Sequence, residues 1–338
     1  MQLQLFYDMC VKWLMESPIR RKDGAVYSWV NKEKPGYVYP EIIGYSIKFF
    51  ADLYDRTRQQ AYLTLAQESA DYLSTHLSRN GSVGRDGYDY AFDSAICASG
   101  LIGLSKVHSL DEAQERALSR LAHFIFTSLS NHQSVLKDGT AVVDNDRWSL
   151  SWGALLAKNA IALHELSEHY KDDKYKALAD NLFALTKQCF HEDHFCINGE
   201  RPCVYTHPHC YATEGLIFLA TKGYPVQDMV LKSAQWLAHN QQENGAMKSW
   251  YYRDAPTEYQ GDATAQAIRI WVCADNKRYK RNIEKAFGFL ASLQTKEGGL
   301  AYNIADGKTS KDINSWVTLF AAQAAQWHLQ GPRKNWIV

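Results

Sequence analysis

Three carboxylates stand near points where the sequence passes from a loop into a run of apolar residues. Asp93, Glu214 and Asp262 occupy such positions in different parts of the chain. Aspartate and glutamate often cap helices, so any one of them alone has a purely structural explanation. Carboxylates gathered at one site tend to have shifted pKa values and to transfer protons. The sequence therefore predicts acid–base chemistry, with Asp93 as the first candidate and Glu214 and Asp262 next.

A histidine-rich phrase supplies a second group of candidates. The chain reads His207-Pro208-His209-Cys210-Tyr211, and imidazole and phenol groups both transfer protons in enzymes. Proline between the two histidines predicts an extended segment whose side chains reach the mouth of a pocket. A histidine here also has a simpler explanation, a hydrogen bond to a loop carbonyl. We predict proton transfer by His209 or Tyr211 and a substrate contact by His207.

Aromatic residues are frequent, and many fall in predicted loops. The 338 residues include 20 tyrosines and 10 tryptophans, and aromatic side chains make up 13% of the chain. Sugar rings stack their C–H faces on aromatic rings while polar groups bind the hydroxyls, so we predict a carbohydrate pocket. Its other predicted substrate-binding residues are Tyr39, Glu41, Tyr88, Asp89, Asp146, Arg147, Trp152, Trp250, Glu258, Gln266, Asp312 and Trp316.

Charge and cysteine usage narrow the class of protein. Lysine and arginine together number 37, as do aspartate and glutamate, which disfavours a nucleic-acid-binding protein. The seven cysteines include no CxxC pair, and we expect reduced thiols because disulfide frameworks belong to short secreted chains. The cysteines and histidines of residues 189–210 do not follow the standard zinc spacings. We expect neither a metal nor a cofactor.

The start of the chain predicts an amphipathic helix over residues 1–16 rather than a secretory leader. It lacks a basic beginning and an uninterrupted apolar stretch. No apolar run approaches the roughly 18 residues that a membrane span needs. We expect a cytoplasmic protein without a membrane span, and its oligomeric state is left open.

Two kinds of helix alternate along the whole chain. One kind is amphipathic, and its predicted ranges are 1–16, 59–77, 112–129, 173–190, 227–240 and 278–293. The other kind is apolar on nearly every side, and its ranges are 41–54, 93–106, 149–168, 211–222, 262–275 and 312–329. A helix that is apolar all round must be buried all round. Six buried helices interleaved with six half-exposed ones predict an inner ring inside an outer ring.

The connections repeat as well. Gly24-Ala-Val-Tyr-Ser-Trp and Gly245-Ala-Met-Lys-Ser-Trp match at four of six positions, and each predicts a glycine turn followed by a short strand. Such long connections lead into the buried helices, so the first residues of those helices are expected to meet in one funnel. We predict one all-α domain over residues 1–338, an (α/α)6 barrel of six helical hairpins with short β-segments in the long loops.

Three phrases strengthen this interpretation: Tyr39-Pro-Glu-Ile-Ile-Gly-Tyr, His207-Pro-His-Cys-Tyr-Ala-Thr-Glu-Gly and Asp262-Ala-Thr-Ala-Gln-Ala-Ile-Arg-Ile-Trp. With the repeat, they resemble the (α/α)6 toroids shared by six-hairpin glycosidases, polysaccharide lyases, sugar epimerases and, in architecture, terpene-cyclase and prenyltransferase repeats. The resemblance implies an enzyme acting on a glycan or uronic sugar as a hydrolase, lyase or epimerase. An isoprenoid enzyme is an alternative, although no Asp-x-Asp-Asp motif is present. A non-catalytic protein of glycan binding or polysaccharide assembly is another.

Overall fold

A computed structural model describes residues 2–144, 147–199 and 203–338. Within these ranges the chain forms long helices joined by loops that carry short strands. The helices are α1 (Leu3–Glu16), α2 (Pro40–Thr57), α3 (Gln60–Thr75), α4 (Ala91–Ser105), α5 (Glu112–Ser130), α6 (Asn159–Tyr170), α7 (Asp173–Thr186), α8 (Thr206–Thr221), α9 (Gln227–Asn240), α10 (Gly261–Asp275), α11 (Lys280–Leu293) and α12 (Ser315–Gln330). The strands are β1 (Trp29–Val30), β2 (Gly84–Arg85), β3 (Tyr88–Tyr90), β4 (Val135–Lys137), β5 (Thr140–Ala141), β6 (Phe190–His191), β7 (His194–Phe195), β8 (Val204–Tyr205), β9 (Met247–Lys248), β10 (Trp250–Tyr251), β11 (Glu258–Gln260), β12 (Leu300–Ala301), β13 (Asn303–Ala305), β14 (Lys308–Thr309) and β15 (Ile313–Asn314).

The helices fall into two compact units. The α2–α7 unit comprises Arg20–Tyr27, Val38–Thr186 and Val338. The α8–α12 unit comprises Met1–Ile19, Ser28–Tyr37 and Lys187–Ile337, and it includes α1. Each unit contains three of the predicted buried helices and three of the half-exposed ones. The prediction of a single domain over residues 1–338 stays a prediction.

In the α2–α7 unit the buried helices α2, α4 and α6 pack in sequence order, and each also packs on the half-exposed helix that follows it. Residues Ala91–Leu104 of α4 are all buried, whereas α3 and α5 bury one face. A Cβ on Gly100 would lie 2.5 Å from the carbonyl oxygen of Gly44. Only a glycine there allows α2 and α4 this backbone contact, which sets the distance between the helices that carry Glu41 and Asp93.

The α8–α12 unit repeats the arrangement. Helix α10 packs against both α8 and α12, while α9 packs on α8, α11 on α10 and α1 on α12. Residues Thr206–Leu219 of α8 and Gly261–Val272 of α10 are buried throughout. The alternation of wholly buried and half-buried helices is therefore confirmed within each unit.

Antiparallel strand pairs join the long connections of neighbouring hairpins. In the α2–α7 unit the sheet β2-β3-β4-β5 pairs the connection before α4 with the one before α6. In the α8–α12 unit β8 pairs with β10, and the sheet β14-β13-β11-β9 pairs the connections before α10 and α12. The predicted β-segments in the long loops are confirmed, and they join the connection that leads into α4 to that of α6, and the connection that leads into α10 to those of α8 and α12.

Three buried helices begin three or more residues away from the predicted start. Helix α6 begins at Asn159 rather than at 149, because Ala154–Lys158 forms a 3-10 helix. Helix α8 begins at Thr206, so the predicted extended segment around Pro208 is wrong; proline fits a first helical turn, where no N–H is required. Helix α12 begins at Ser315, because the Asn314 side chain caps it by accepting from a backbone N–H in the first turn.

Two general properties follow from the described residues. No helix among them combines the length and the apolar character that crossing a bilayer demands. All seven cysteines lie in the described ranges, and none of them forms a disulfide.

Candidate active site

Two carboxylates of the α2–α7 unit come together at the first turns of adjacent helices. Glu41 is the second residue of α2, and Asp93 is the third residue of α4. The N-cap positions belong to Tyr39 and Tyr90, neither of which makes a side-chain cap. The charge of Glu41 acts on Asp93. Asp93 is therefore not the N-cap of α4, so helix capping does not explain the presence of a carboxylate at this position. We call Tyr39, Glu41, Tyr90 and Asp93 the Asp93 cluster.

The Asp93 carboxyl is buried in surroundings that favour its protonated form. It interacts with the Tyr39 hydroxyl, while Oδ2 has no hydrogen-bond partner within the described part of the chain. Removal from water and the neighbouring Glu41 raise the pKa of Asp93 well above its usual range, although the Tyr39 hydrogen bond opposes them. A carboxyl that keeps its proton at neutral pH is what a general acid requires.

The Tyr39 hydroxyl remains a donor in this environment. Burial and the negative charges of Asp93 and Glu41 raise the pKa of Tyr39. The Arg85 guanidinium lies 5.9 Å from the centroid of the Tyr39 ring. The Tyr39 hydroxyl therefore faces the carboxylates, and the Tyr39 ring faces the Arg85 cation.

A second tyrosine pair lies on strand β3. The rings of Tyr88 and Tyr90 are stacked with centroids 6.0 Å apart, and the Lys137 ammonium lies 4.9 Å from the Tyr88 centroid. Burial and Asp93 raise the pKa of Tyr90, while Arg147 acts in the opposite direction. The predicted contacts Tyr88 and Arg147 therefore lie close to the Asp93 cluster within this unit.

A histidine and a carboxylate meet at the first turns of α8 and α10. His207 is the second residue of α8, and Asp262 is the second residue of α10. The Nδ1 atom of His207 lies 3.7 Å from Asp262 Oδ2 and 2.6 Å from Gln266 Oε1. The rings of His207 and Tyr211 have centroids 4.2 Å apart. We call His207, Tyr211, Asp262 and Gln266 the His207 cluster.

Glu214 lies two helical turns into α8 and makes an internal ion pair. Its carboxylate accepts from Arg269 Nη2, and neither side chain has any exposed surface. Gln266 Nε2 donates to the same carboxylate at 3.3 Å. Arg269 also donates to Gln323 Oε1 at 3.0 Å, and its guanidinium lies 4.2 Å from the Phe320 centroid. This environment is that of a fixed charge, which differs from the proton-transfer role predicted for Glu214.

Polar groups that the sequence did not single out surround Asp262. Gln260 Nε2 lies 2.6 Å from the Tyr205 hydroxyl and 3.2 Å from the Tyr302 hydroxyl. Burial raises the pKa of both tyrosines, and the charges of Asp262 and Glu258 add to the effect. A signal was available: Gln260 precedes α10 directly, and Tyr302 belongs to a glycine-led segment.

His209 lies in a different environment from His207. Its Nδ1 accepts the backbone N–H of Phe195 at 3.0 Å, and its ring centroid is 4.8 Å from that of Trp236. Burial, with a smaller contribution from His194, lowers the pKa of His209 to about 3. These are the contacts of a neutral packed histidine, so His207 is the histidine that lies beside a candidate carboxylate.

Other predicted contacts of the α2–α7 unit have local partners. The Ser82 hydroxyl donates to Asp89 Oδ1 at 2.5 Å. The Trp152 ring lies 5.2 Å from that of His132, in the connection before α6. Asp146 lies outside the described residues. Asp89 and Trp152 therefore have structural contacts, and substrate binding by either of them stays a prediction.

The remaining predicted contacts belong to the α8–α12 unit. The Trp250 and Tyr205 rings have centroids 4.4 Å apart, which places Trp250 beside the polar groups around Asp262. Asp312 accepts from Asn31 Nδ2 at 2.6 Å and lies in the loop before α12. Trp316 is the second residue of α12 and is half-buried. The sequence predicted a helix start at Asp312, but Asp312 lies three residues before the first residue of α12.

A buried ion pair in the α2–α7 unit escaped prediction. Lys48 Nζ lies 3.2 Å from Glu165 Oε1 and 2.6 Å from Ser99 Oγ, and Lys106 reaches the same carboxylate at 2.8 Å. Burial lowers the pKa of Lys48 to about 8, against the opposing charge of Glu165. The contacts join α2, α4 and α6, which gives the pair a structural role.

The described residues of the region rich in cysteine and histidine show no metal-binding arrangement. Burial raises the pKa of Cys189 and of Cys196 to about 11. The thiolate is the form that binds metals, and these surroundings disfavour it. Across residues 2–144, 147–199 and 203–338 no three His, Cys, Asp or Glu residues are grouped so that they could hold a metal ion.

Solved structures similar to the chain include enzymes of sugar chemistry. A sugar epimerase from a ruminal bacterium superposes with a TM-score of 0.75 and 11% identity, over 98% of this chain and 100% of that one. An unsaturated glucuronyl hydrolase specific for heparin gives 0.71 and 10%, over 97% of both chains. A polysaccharide lyase gives 0.66 and 13%, over 97% of this chain and 98% of that one.

These matches confirm the predicted fold. The chain has the (α/α)6 toroid fold. No family model matches the sequence, and comparison with curated proteins finds no match. The convergence of all six helix starts on one funnel stays a prediction.

Proposed function

We propose that the protein is an enzyme that acts on a sugar or glycan by acid–base chemistry, with the Asp93 carboxyl as proton donor. The observation that carries this proposal is the buried Asp93, whose pKa is raised by burial and by Glu41 and whose Oδ2 has no hydrogen-bond partner among the described residues. Carboxyls with strongly shifted pKa values cluster at functional sites.

Hydrolysis of a glycosidic bond is the reaction that this geometry supports best. Asp93 gives its proton to the glycosidic oxygen as the bond from that oxygen to the anomeric carbon breaks. Glu41, the neighbouring carboxylate, takes a proton from the water that adds to the anomeric carbon. Tyr39 then stabilises the ionised Asp93 by donating its hydroxyl. The proposal follows the similarity to a glucuronyl hydrolase, which by itself concerns only the fold.

Epimerisation of a sugar is a second candidate, favoured by the His207 cluster. The Nδ1 atom of the His207 imidazole faces Gln266 Oε1 and Asp262 Oδ2, which orient the ring and stabilise a positive charge on it. An oriented imidazole takes and returns a proton at neutral pH, as an epimerase requires. The similar sugar epimerase is consistent with this reading.

Product analysis separates the candidates. The purified protein is incubated with an unsaturated glucuronyl disaccharide, with cellobiose and with a uronate polysaccharide, and products are followed by proton NMR and ultraviolet absorbance. Hydrolysis removes the absorbance of the unsaturated sugar or releases new reducing ends from a saturated one, a lyase reaction creates such absorbance, and epimerisation changes the NMR spectrum while every glycosidic bond stays intact. Arg85 and Arg147, near Tyr39 and Tyr90, favour an anionic sugar because guanidinium matches carboxylate geometry.

Asp93→Asn tests the assignment of the proton donor. A general acid contributes about 10²–10⁴-fold, so the variant should lose activity by that factor while keeping its helical circular dichroism. Asp71→Asn is the matched control, because Asp71 is an exposed α3 residue bonded to Gln114. Sugar binding without turnover by the unaltered protein would indicate a non-catalytic glycan-binding protein. Full activity of Asp93→Asn would remove Asp93 from the mechanism.

A further inference from the structure

A line of hydrogen bonds runs from His207 into the interior of the α8–α12 unit. Its inner end is the carboxylate of Glu214, which accepts from Arg269. A carboxylate only accepts hydrogen bonds, and the carboxylate of Glu214 forms a buried ion pair with the Arg269 guanidinium. The Gln266 amide meets this carboxylate at 3.3 Å, so the atom turned toward it must be the donor Nε2. The opposite amide orientation would set two acceptors against each other.

The orientation of Gln266 determines where His207 carries its proton. With Nε2 on Glu214, the carbonyl Oε1 of Gln266 faces His207 at 2.6 Å from Nδ1. A carbonyl oxygen only accepts, so Nδ1 must be the donor. In the neutral imidazole the lone pair then lies on Nε2, because a neutral ring has one N–H. Asp262 Oδ2, 3.7 Å from Nδ1, places further negative charge on the N–H side of the ring.

The same reasoning fixes the orientation of the Gln323 amide, which accepts from Arg269. Gln323 Nε2 donates to the backbone carbonyl of Trp336 at 2.9 Å, so its Oε1 faces Arg269 at 3.0 Å. The Phe320 ring packs on the guanidinium. Since Glu214 and Arg269 have no exposed surface, water does not compete for their contacts. Each amide in the line therefore has one orientation that satisfies its neighbours.

We propose that Glu214, Arg269 and Gln266 are positioning residues that keep the proton of His207 on Nδ1 and make Nε2 the basic atom of the ring. The inference rests on the proposed sugar chemistry only for the use of that basic atom, acceptance of a proton from a bound sugar. It gives Glu214 a role that acts through His207, in place of direct proton transfer.

The tautomer of His207 is measurable without any substrate. Protein labelled with ¹⁵N-histidine is examined by long-range ¹H–¹⁵N correlation above the pH at which the ring becomes neutral. The signals of His207 are identified among the 12 histidines as those missing from His207→Gln. One hydrogen bond of ordinary strength favours the Nδ1–H form about tenfold, and we expect at least that excess in the unaltered protein.

Two variants break the line at different links. Gln266→Leu removes the acceptor at Nδ1, and Glu214→Gln removes the group that dictates the Gln266 orientation. In both, the excess of the Nδ1–H form of His207 should fall by about fivefold, since the hydrogen bond from Nδ1 to Gln266 is lost or no longer enforced, while Asp262 still favours that form. Glu214→Asp keeps an acceptor-only group and should retain an excess of Nδ1–H. Glu284→Gln, at an exposed ion pair on α11, is the control and should leave the tautomer unchanged.

The outcomes separate this inference from the proposed function. An Nε2–H tautomer in the unaltered protein, or an unchanged tautomer in both variants, would overturn the positioning role. If Glu214→Gln does not fold, the unaltered protein and Gln266→Leu still decide. A correct tautomer with no turnover of any sugar would leave the positioning role standing while removing the sugar chemistry. If a sugar is turned over, Gln266→Leu and Glu214→Gln should lower kcat more than they change KM, because they act on the basic Nε2 atom of His207. A merely loosened fold would not act on this atom selectively.

Discussion

Asp93 and Glu214 are both buried carboxylates on helices of the same kind, yet their surroundings are opposite. Glu214 faces a guanidinium from which water is excluded. Asp93 faces Glu41, a second carboxylate, and the neutral Tyr39 hydroxyl. A carboxylate with its own cation is a fixed structural charge, whereas one beside another carboxylate holds a proton that it can release. The counter-charge, more than the place on the helix, separates a positioning residue from a candidate proton donor.

Removal of the cation beside Glu214 should have the largest effect on stability. Arg269→Met leaves a buried carboxylate without its partner, which costs about 3–5 kcal/mol in the free energy of unfolding. Urea denaturation followed by circular dichroism measures the loss. The double variant Arg269→Met/Glu214→Leu should recover most of it, because no charge is left buried.

An exposed ion pair supplies the control for this experiment. Lys280 lies 3.9 Å from Glu284, and both side chains are mostly exposed. Lys280→Met should change the free energy of unfolding by less than about 0.5 kcal/mol, since such pairs contribute little. If Arg269→Met were equally mild, Glu214 would not be a fixed charge and the contrast with Asp93 would fail.

The charge of Asp93, unlike that of Glu214 in its ion pair, is expected to lower the stability of the folded protein. In the unfolded chain Asp93 ionises near its ordinary pKa, whereas the folded protein keeps it protonated to higher pH. Between these two pKa values the folded state binds more protons, so this group lowers stability as the pH rises. Asp93→Asn removes the effect, and each unit of raised pKa that is relieved is worth about 1.4 kcal/mol.

Denaturation of Asp93→Asn and the unaltered protein from pH 5 to pH 8 tests this sign. The stability gained by the variant should grow with pH, even as its activity is lost. A site that sacrifices stability for function behaves in this way. A stability difference between the two proteins that stays constant from pH 5 to pH 8 would show that Asp93 is already ionised in the fold over this range.

The fold could be predicted because its signal is repeated along the chain. Each buried helix is apolar on every side, and the alternation with half-exposed helices recurs often enough to outweigh errors at single boundaries. Those errors have local causes. The α6 prediction began early because Ala154–Lys158 is apolar but forms a 3-10 helix. The α12 prediction began early because Asn314, and not Asp312, makes the cap.

The sequence predicted which residues belong to the candidate site better than it predicted what each residue does there. Helix starts indicated Glu41, Asp93 and Asp262, and the structure brings together the members of each unit. The role of Glu214 was not predictable, because Arg269 lies 55 residues further along the chain and only packing brings them together. The pair Lys48 and Glu165 escaped for the same reason, since a buried charge in an apolar helix has no sequence signal for its partner.

The two histidines on α8 allow the smallest test of the comparison. The sequence predicted proton transfer by His209 and a substrate contact by His207, whereas the fold buries His209 as a neutral ring whose pKa is lowered to about 3. Because an unfolded histidine binds a proton below about pH 6.5, His209 lowers stability as the pH falls from 6.5 toward 3. His209→Asn keeps an acceptor for the Phe195 N–H and removes this proton uptake.

At pH 7.5 we expect His209→Asn to be less stable by about 1–2 kcal/mol, because ring packing on Trp236 is lost. The difference should shrink as the pH falls to 5, since only the unaltered protein gains protons at this site when it unfolds. His108→Asn, at an exposed position, should show no such convergence. Parallel stability curves for His209→Asn and the unaltered protein would mean that His209 is charged in the fold, and the assignment of packing to His209 and chemistry to His207 would have to be reversed.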